Sequence, residues 1–91
     1  MPLYALICDD KPGGQEIRAA NRAAHLDYLR DTGVVVLAGP FQDDAGGMTG
    51  SLLVLDVADR AAAEAWAAAD PYARAGLFAS VAIRPWKKVV G

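Results

Sequence analysis

His25 is the only histidine in this sequence of 91 residues, and histidine is the side chain whose unperturbed pKa lies nearest neutrality. It is therefore the natural candidate for moving a proton at physiological pH. Set on a helix that advances about 100° per residue, His25 projects between Tyr28 and Leu29, inside the apolar arc and away from Asp27 and Arg30. Arg18 and Arg22 fall on its own side. A buried structural histidine would show the same placement. Asp70, followed by Pro71, stands where a second helix must stop. A carboxylate is locally unfavourable at a helix C-terminus unless a donor or a positive group compensates it, and a nearby imidazole would do so. A base and a carboxylate that orients it form a general acid–base unit.

Smaller signals surround this pair. Gly39-Pro40 and Gly50-Ser51 flank two strand-like runs, and the missing side chains would let a ligand approach the backbone; ordinary turn geometry explains the same residues. Tyr72 after Pro71 and Trp86 after Pro85 suit the wall of an apolar pocket and equally a core or a subunit interface. Cys8, the only cysteine, sits in an apolar run and reads as a packed thiol, with no disulfide or cysteine-based metal cluster available to one chain.

The elements that must position these residues follow from periodicity. Leu3 to Cys8 is a short apolar run closed by Asp9-Asp10-Lys11-Pro12-Gly13-Gly14, a strand and its loop. From about Gln15 to Asp31 the apolar residues Ile17, Ala20, Ala24 and Tyr28 recur at helical spacing, and Gly33 is placed to end the helix. Val34 to Ala38 and Ser51 to Val57 form a hairpin around Asp43-Asp44-Ala45-Gly46-Gly47. Asp59 caps an alanine-rich helix from Arg60 to about Ala69, Tyr72 to Gly76 form a short turn, and Leu77 to Val90 carries a last strand broken by Arg84-Pro85. The order βαββαβ is the split βαβ, or ferredoxin-like, α+β arrangement: a four-stranded antiparallel sheet with two helices on one face. The runs Val34 to Ala38 and Leu52 to Leu55 do not alternate apolar with polar residues, so both sheet faces are expected to be buried. Two helices cover one face, and a second copy of the chain is the simplest cover for the other.

Composition narrows the partners. The apolar fraction is 54%, enough for one core in a single domain spanning residues 1–91. A net charge of −2 with scattered Lys and Arg disfavours nucleic acid. No charged stretch leads into an apolar run at the N-terminus, and no apolar run reaches the ~20 residues of a membrane helix. A cytoplasmic protein without a membrane partner is expected.

In order along the chain, Arg22-x-x-His25-Leu26-x-Tyr28-Leu29, Gly33, Ala38-Gly39-Pro40, Gly50-Ser51, Asp70-Pro71-Tyr72, Gly76-Leu77-Phe78 and Pro85-Trp86 resemble the pattern of the YciI-like family. The resemblance spans nearly the whole chain and implies a dimeric α/β barrel with a His and Asp pair in a pocket. His25 and Asp70 are the matching positions, with Gly39, Ser51 and Tyr72 as pocket contacts; Arg22, Pro40 and Trp86 complete the candidate substrate-binding set. One branch of the family resembles dehydrochlorinases of hydroxylated chloroaromatics. The resulting expectation is a homodimeric enzyme, independent of cofactor or metal, acting by acid–base chemistry on a small hydroxylated cyclic or aromatic molecule. Its rivals are a non-catalytic small-molecule binder or accessory protein, and a tautomerase using Pro2 as an N-terminal amine.

Overall fold

The computed structural model describes residues 2–91 and contains four strands, β1 (Leu3–Asp10), β2 (Val35–Gln42), β3 (Met48–Asp56) and β4 (Phe78–Trp86). They lie in the order β2-β3-β1-β4, each neighbouring pair antiparallel. Helix α1 (Gln15–Thr32) joins β1 to β2, while α2 (Arg60–Ala69) and the single turn α3 (Pro71–Arg74) join β3 to β4. This is the ferredoxin-like α+β fold expected from the element order.

Side chains directly opposed in an antiparallel pair share a face, so the register assigns the core. Leu6 opposes Leu53 and Ile83, and Tyr4 opposes Leu55. With Cys8 and Val57 these residues meet Ala63 and Trp66 of α2 under the helices. The Tyr28 hydroxyl donates to the Trp66 carbonyl at 2.8 Å, and the Trp66 indole N–H donates to Thr32 Oγ1 at 3.0 Å. These two bonds fix α1 beside α2, which in turn fixes where the end of α2 meets α1. The capping chemistry is local: Asp59 Oδ1 accepts from Ala62 N–H at 2.8 Å to start α2, and Gly33, with φ +68°, ends α1 in the left-handed region.

Several strand limits differ from the sequence expectation. β2 runs through Gly39-Pro40 to Gln42, and β4 runs through Arg84-Pro85 to Trp86. Both are edge strands, where proline is tolerated because only one side of the strand needs backbone donors. β3 starts at Met48, placing Gly50 and Ser51 inside the strand, and ends at Asp56. A Cβ on Gly50 would stand 2.3 Å from the Cys8 carbonyl oxygen, so this glycine marks a close approach of β3 to β1.

The other sheet face carries Ala5, Ile7, Leu52 and Val54 at its centre and Leu37, Phe41 and Trp86 around them. The helices lie on the opposite side. Leu37, Phe41 and Trp86 are 38–45% exposed.

Candidate active site

Pro71 has two consequences for Asp70. It stops α2 by disfavouring a helical conformation for the residue before it, and it opens α3 as an N-terminal proline. Asp70 is therefore the C-cap of one helix and the N-cap of the next. Its Oδ1 accepts from Tyr72 N–H at 2.9 Å and lies 2.7 Å from His25 Nδ1. The local electrostatic cost of a carboxylate at the end of α2 is offset by these two donors. Asp70 is 2% and His25 6% exposed, so the pair meets in a desolvated place where a charge-assisted hydrogen bond is strong.

The pairing decides the tautomer. A carboxylate only accepts, so Nδ1 carries the proton and donates it to Asp70, which leaves the lone pair of the neutral ring on Nε2. Among the described residues no protein group bonds to Nε2. Tyr72 stacks flat on the imidazole, with ring centroids 3.8 Å apart and planes 13° apart, and Phe78 meets Tyr72 edge to face at 6.2 Å. The ring is thus held by a hydrogen bond in its plane and an aromatic surface on its face. Burial raises the Tyr72 phenol, with the Arg18 charge opposing it.

A cavity of about 480 Å³ opens between α1 and the β2 side of the sheet. Arg22 and His25 line it from the helix, with Leu26 and Leu29 as an apolar wall. Gly39, Pro40 and Ser51 face it from the strands, and Tyr72 closes the end next to His25. Pro40 and Ser51 are direct cross-strand partners, so the two strand motifs do come together. A Cβ on Gly39 would meet nothing within 4 Å, so the backbone there borders open space.

Trp86 does not join them. It opposes Leu3 at the far end of β1, on the face away from the helices, in a shallow depression shared with Pro2, Pro85 and Lys87. The proline after Arg84 does not break β4, so the strand carries Trp86 beyond the reach of the cavity. Pro2, the rival amine, lies in that same depression.

The side chain that the sequence reading left without a role is Arg18. It is 9% exposed and lines the cavity. Its Nε and Nη2 donate to the two carboxylate oxygens of Asp10 at 2.9 and 3.0 Å, and Nη2 also reaches the Gly50 carbonyl and Ser51 Oγ. The guanidinium lies 4.9 Å from the centre of the Tyr72 ring. A signal was present, since residues 18, 22 and 25 form one stripe on α1. Asp10 was hidden because it reads as a loop residue, whereas it ends β1. Cys8, beneath this corner, is pushed up to about 12 by burial, with Asp70 adding to the shift, so its thiol is neutral and inert. Among the described residues, no three His, Cys, Asp or Glu side chains converge to hold a metal ion, and no helix is long and apolar enough to cross a membrane.

Comparison with known proteins finds relatives in sequence and in fold. The model of the YCII-related domain matches residues 2–87. Protein YciI of Escherichia coli is 38% identical over 96 aligned residues, covering 96% of this chain and 98% of its own. The structure of a 5-chloro-2-hydroxyhydroquinone dehydrochlorinase, TftG from Burkholderia phenoliruptrix, in complex with 2,5-dihydroxybenzoquinone, is 32% identical. It superposes with a TM-score of 0.85 over 93% of each chain. An antibiotic biosynthesis monooxygenase at 14% identity shares the fold, with a TM-score of 0.60 over 99% of this chain and all of that one.

Proposed function

Because the chain belongs to the YCII-related domain family, we propose that it is a cofactor-independent acid–base enzyme acting on a small hydroxylated cyclic or aromatic compound, with elimination of HCl as its model reaction. The observation that carries this reading is the 2.7 Å contact of His25 Nδ1 with Asp70 at the wall of a cavity of about 480 Å³, the right size for one small ring. In the proposed step Nε2 takes the proton of a ring hydroxyl. The freed O–H electron pair enters the ring, and the carbon that bears chlorine takes up a proton. A second ring hydroxyl then gives up its proton, its pair passes through the ring to that carbon, and chloride leaves with the C–Cl pair. The ring has then lost one proton and one chloride and is a hydroxyquinone. Asp70 holds the imidazole and stabilises it while charged, and the product ring carries the whole electronic change, so no external oxidant is required. The likeness to TftG, a dehydrochlorinase with a dihydroxybenzoquinone bound, supports both the substrate class and the chemistry.

Gly39, Pro40, Ser51, Arg22 and Tyr72 are assigned to substrate contact in this reading, and Trp86 is not. The functional unit is proposed to be a homodimer closed on the sheet face that bears Leu37 and Phe41, because an apolar face of this extent gains about 25 cal/mol for each Å² it buries.

The test is chloride release from 5-chloro-2-hydroxyhydroquinone and related chlorinated hydroxyarenes. The wild type should release chloride without added cofactor, and His25→Ala should lose roughly 10²- to 10⁴-fold in turnover while keeping its fold. Equal turnover in His25→Ala would remove His25 as the base, and no chloride release by the wild type would leave a small-molecule binder as the better reading.

A further inference from the structure

Arg18 is a costly residue to bury. Removing a guanidinium from water is compensated only when it is paired and hydrogen-bonded, and such pairs are weak contributors to stability. Here Asp10 neutralises the charge through two hydrogen bonds, and the Gly50 carbonyl and Ser51 Oγ hold the same edge of the group. All four bonds use Nε and Nη2. Guanidinium has five N–H donors; the two on Nη1 make none of these four bonds, and the Tyr72 hydroxyl is the one other protein group close enough for the guanidinium to act on through a hydrogen bond. The group is therefore held in orientation by Asp10, Gly50 and Ser51, with Nη1 outside these bonds, and it lines the cavity beside Tyr72.

Ser51 adds a second donor at the same place. Its Oγ accepts from Arg18, so its own proton remains to be given. Arg22, exposed and also lining the cavity, has no ion-pair partner among the described residues. Asp10 and Asp70 each sit behind a cationic or proton-donating partner, and no Asp or Glu lines the cavity. The field inside therefore favours an anion.

We infer that the Arg18–Ser51 corner is an oxyanion subsite, and that the ligand is a cyclic compound bearing an ionised oxygen, such as a hydroxyquinone anion or an acidic phenolate, in addition to the hydroxyl presented to His25. This rests on the acid–base reading for the second oxygen only. Arg18 Nη1 and Ser51 Oγ–H donate to the anionic oxygen and turn the ring so that its hydroxyl meets Nε2. Because Asp10 and the Gly50 carbonyl fix the guanidinium before the ligand arrives, little reorganisation is needed on binding.

Calorimetric binding at pH 7 tests this with two probes: 2,5-dihydroxybenzoquinone, which is ionised at that pH, and hydroquinone, which is neutral. The wild type should bind the anion at least about tenfold tighter, the scale of one charge-assisted hydrogen bond. Arg18→Lys keeps a charge but loses the fork, and should erase most of that preference while leaving hydroquinone binding within about threefold. Ser51→Ala, a milder change that decides the matter should Arg18→Lys fail to fold, should cost the anion about three- to tenfold and hydroquinone little. Equal affinity of the wild type for the two probes, no measurable binding of the anion, or an unchanged preference in Ser51→Ala together with a folded Arg18→Lys would overturn the subsite. His25→Ala separates the two readings: it should retain the preference for the anion whether or not it abolishes turnover. Loss of the preference in His25→Ala would place the anion on the imidazole instead and also overturn the subsite.

Discussion

At the scale of single residues, the buried carboxylate of Asp70 serves two donors at once, the His25 ring and the Tyr72 backbone, and its substitutions should separate by which one they abandon. Asp70→Asn retains an oxygen for the Tyr72 N–H but cannot stabilise a charged imidazole. Its expected effect falls on turnover, measured as a drop in kcat with KM changed little. Asp70→Ala abandons both donors in a desolvated site, where each unpaired group costs about 1–3 kcal/mol, so chemical denaturation should show a destabilised protein as well. Cys8 supplies a pH-dependent prediction of a different kind. Its thiol is raised from an ordinary value of 9.0 to about 12 in the folded chain, so the native state holds the proton more tightly than the unfolded state. The resulting stability is fully present below pH 9 and is lost as pH rises towards 12. Replacing Cys8 by Ala should flatten the alkaline fall in stability, and the wild-type thiol should resist alkylation at pH 8 until denaturant is added.

At the scale of elements, the site depends on three junctions. The turn from α2 to α3 places Asp70, the position of α1 across the sheet places His25 and Arg18, and the contact of β3 with β1 at Gly50 places the carbonyl that receives Arg18. The last is the most constrained. In Gly50→Ala the new Cβ would lie 2.3 Å from the Cys8 carbonyl, and separating two central strands should cost about 1–3 kcal/mol. The variant should also bind anionic ligands more weakly, because the movement pulls the Gly50 carbonyl and Ser51 from the guanidinium. Asp59→Ala is the control: it removes the cap of α2, far from the cavity chemistry, and should cost about 1 kcal/mol in thermal or denaturant unfolding with ligand affinity unchanged.

At the scale of the whole molecule, the ferredoxin-like sheet presents helices on one side and apolar side chains on the other, and the proposed homodimer covers the second. Leu37→Asp places a charge on that face at a residue 45% exposed in the single chain, where the fold of one protomer can tolerate it. Sedimentation should then show monomer where the wild type sediments as dimer; wild type running as a folded monomer at micromolar concentration would end the proposal.

Much of this architecture was legible from residue order, because its signals are local. Helix limits follow from Asp59, Pro71 and Gly33, whose backbone preferences act within a few residues, and the hairpin follows from the Asp43 to Gly47 turn, where Asp43 Oδ1 accepts from the N–H groups of Ala45 and Gly47. The uninterrupted apolar runs in β2 and β3 likewise marked a sheet with something to bury on both faces. His25 could be put forward because it is unique, and Asp70 because a carboxylate before proline at a helix end asks for compensation. Only the tertiary structure decided that they meet at 2.7 Å, since they are 45 positions apart and the contact depends on how α1 packs beside α2. It decided equally that Gly39-Pro40 and Arg84-Pro85 continue strands: proline is tolerated where its nitrogen faces no neighbouring strand, and edge position is a property of the assembled sheet. It removed Trp86 from the cavity, because which face a strand residue occupies depends on register. Arg18 was recognised as part of the site only once the sheet had brought Asp10, Gly50 and Ser51 around it, since no local rule distinguishes a buried arginine from an exposed one until its partners, spread over the chain, are in place.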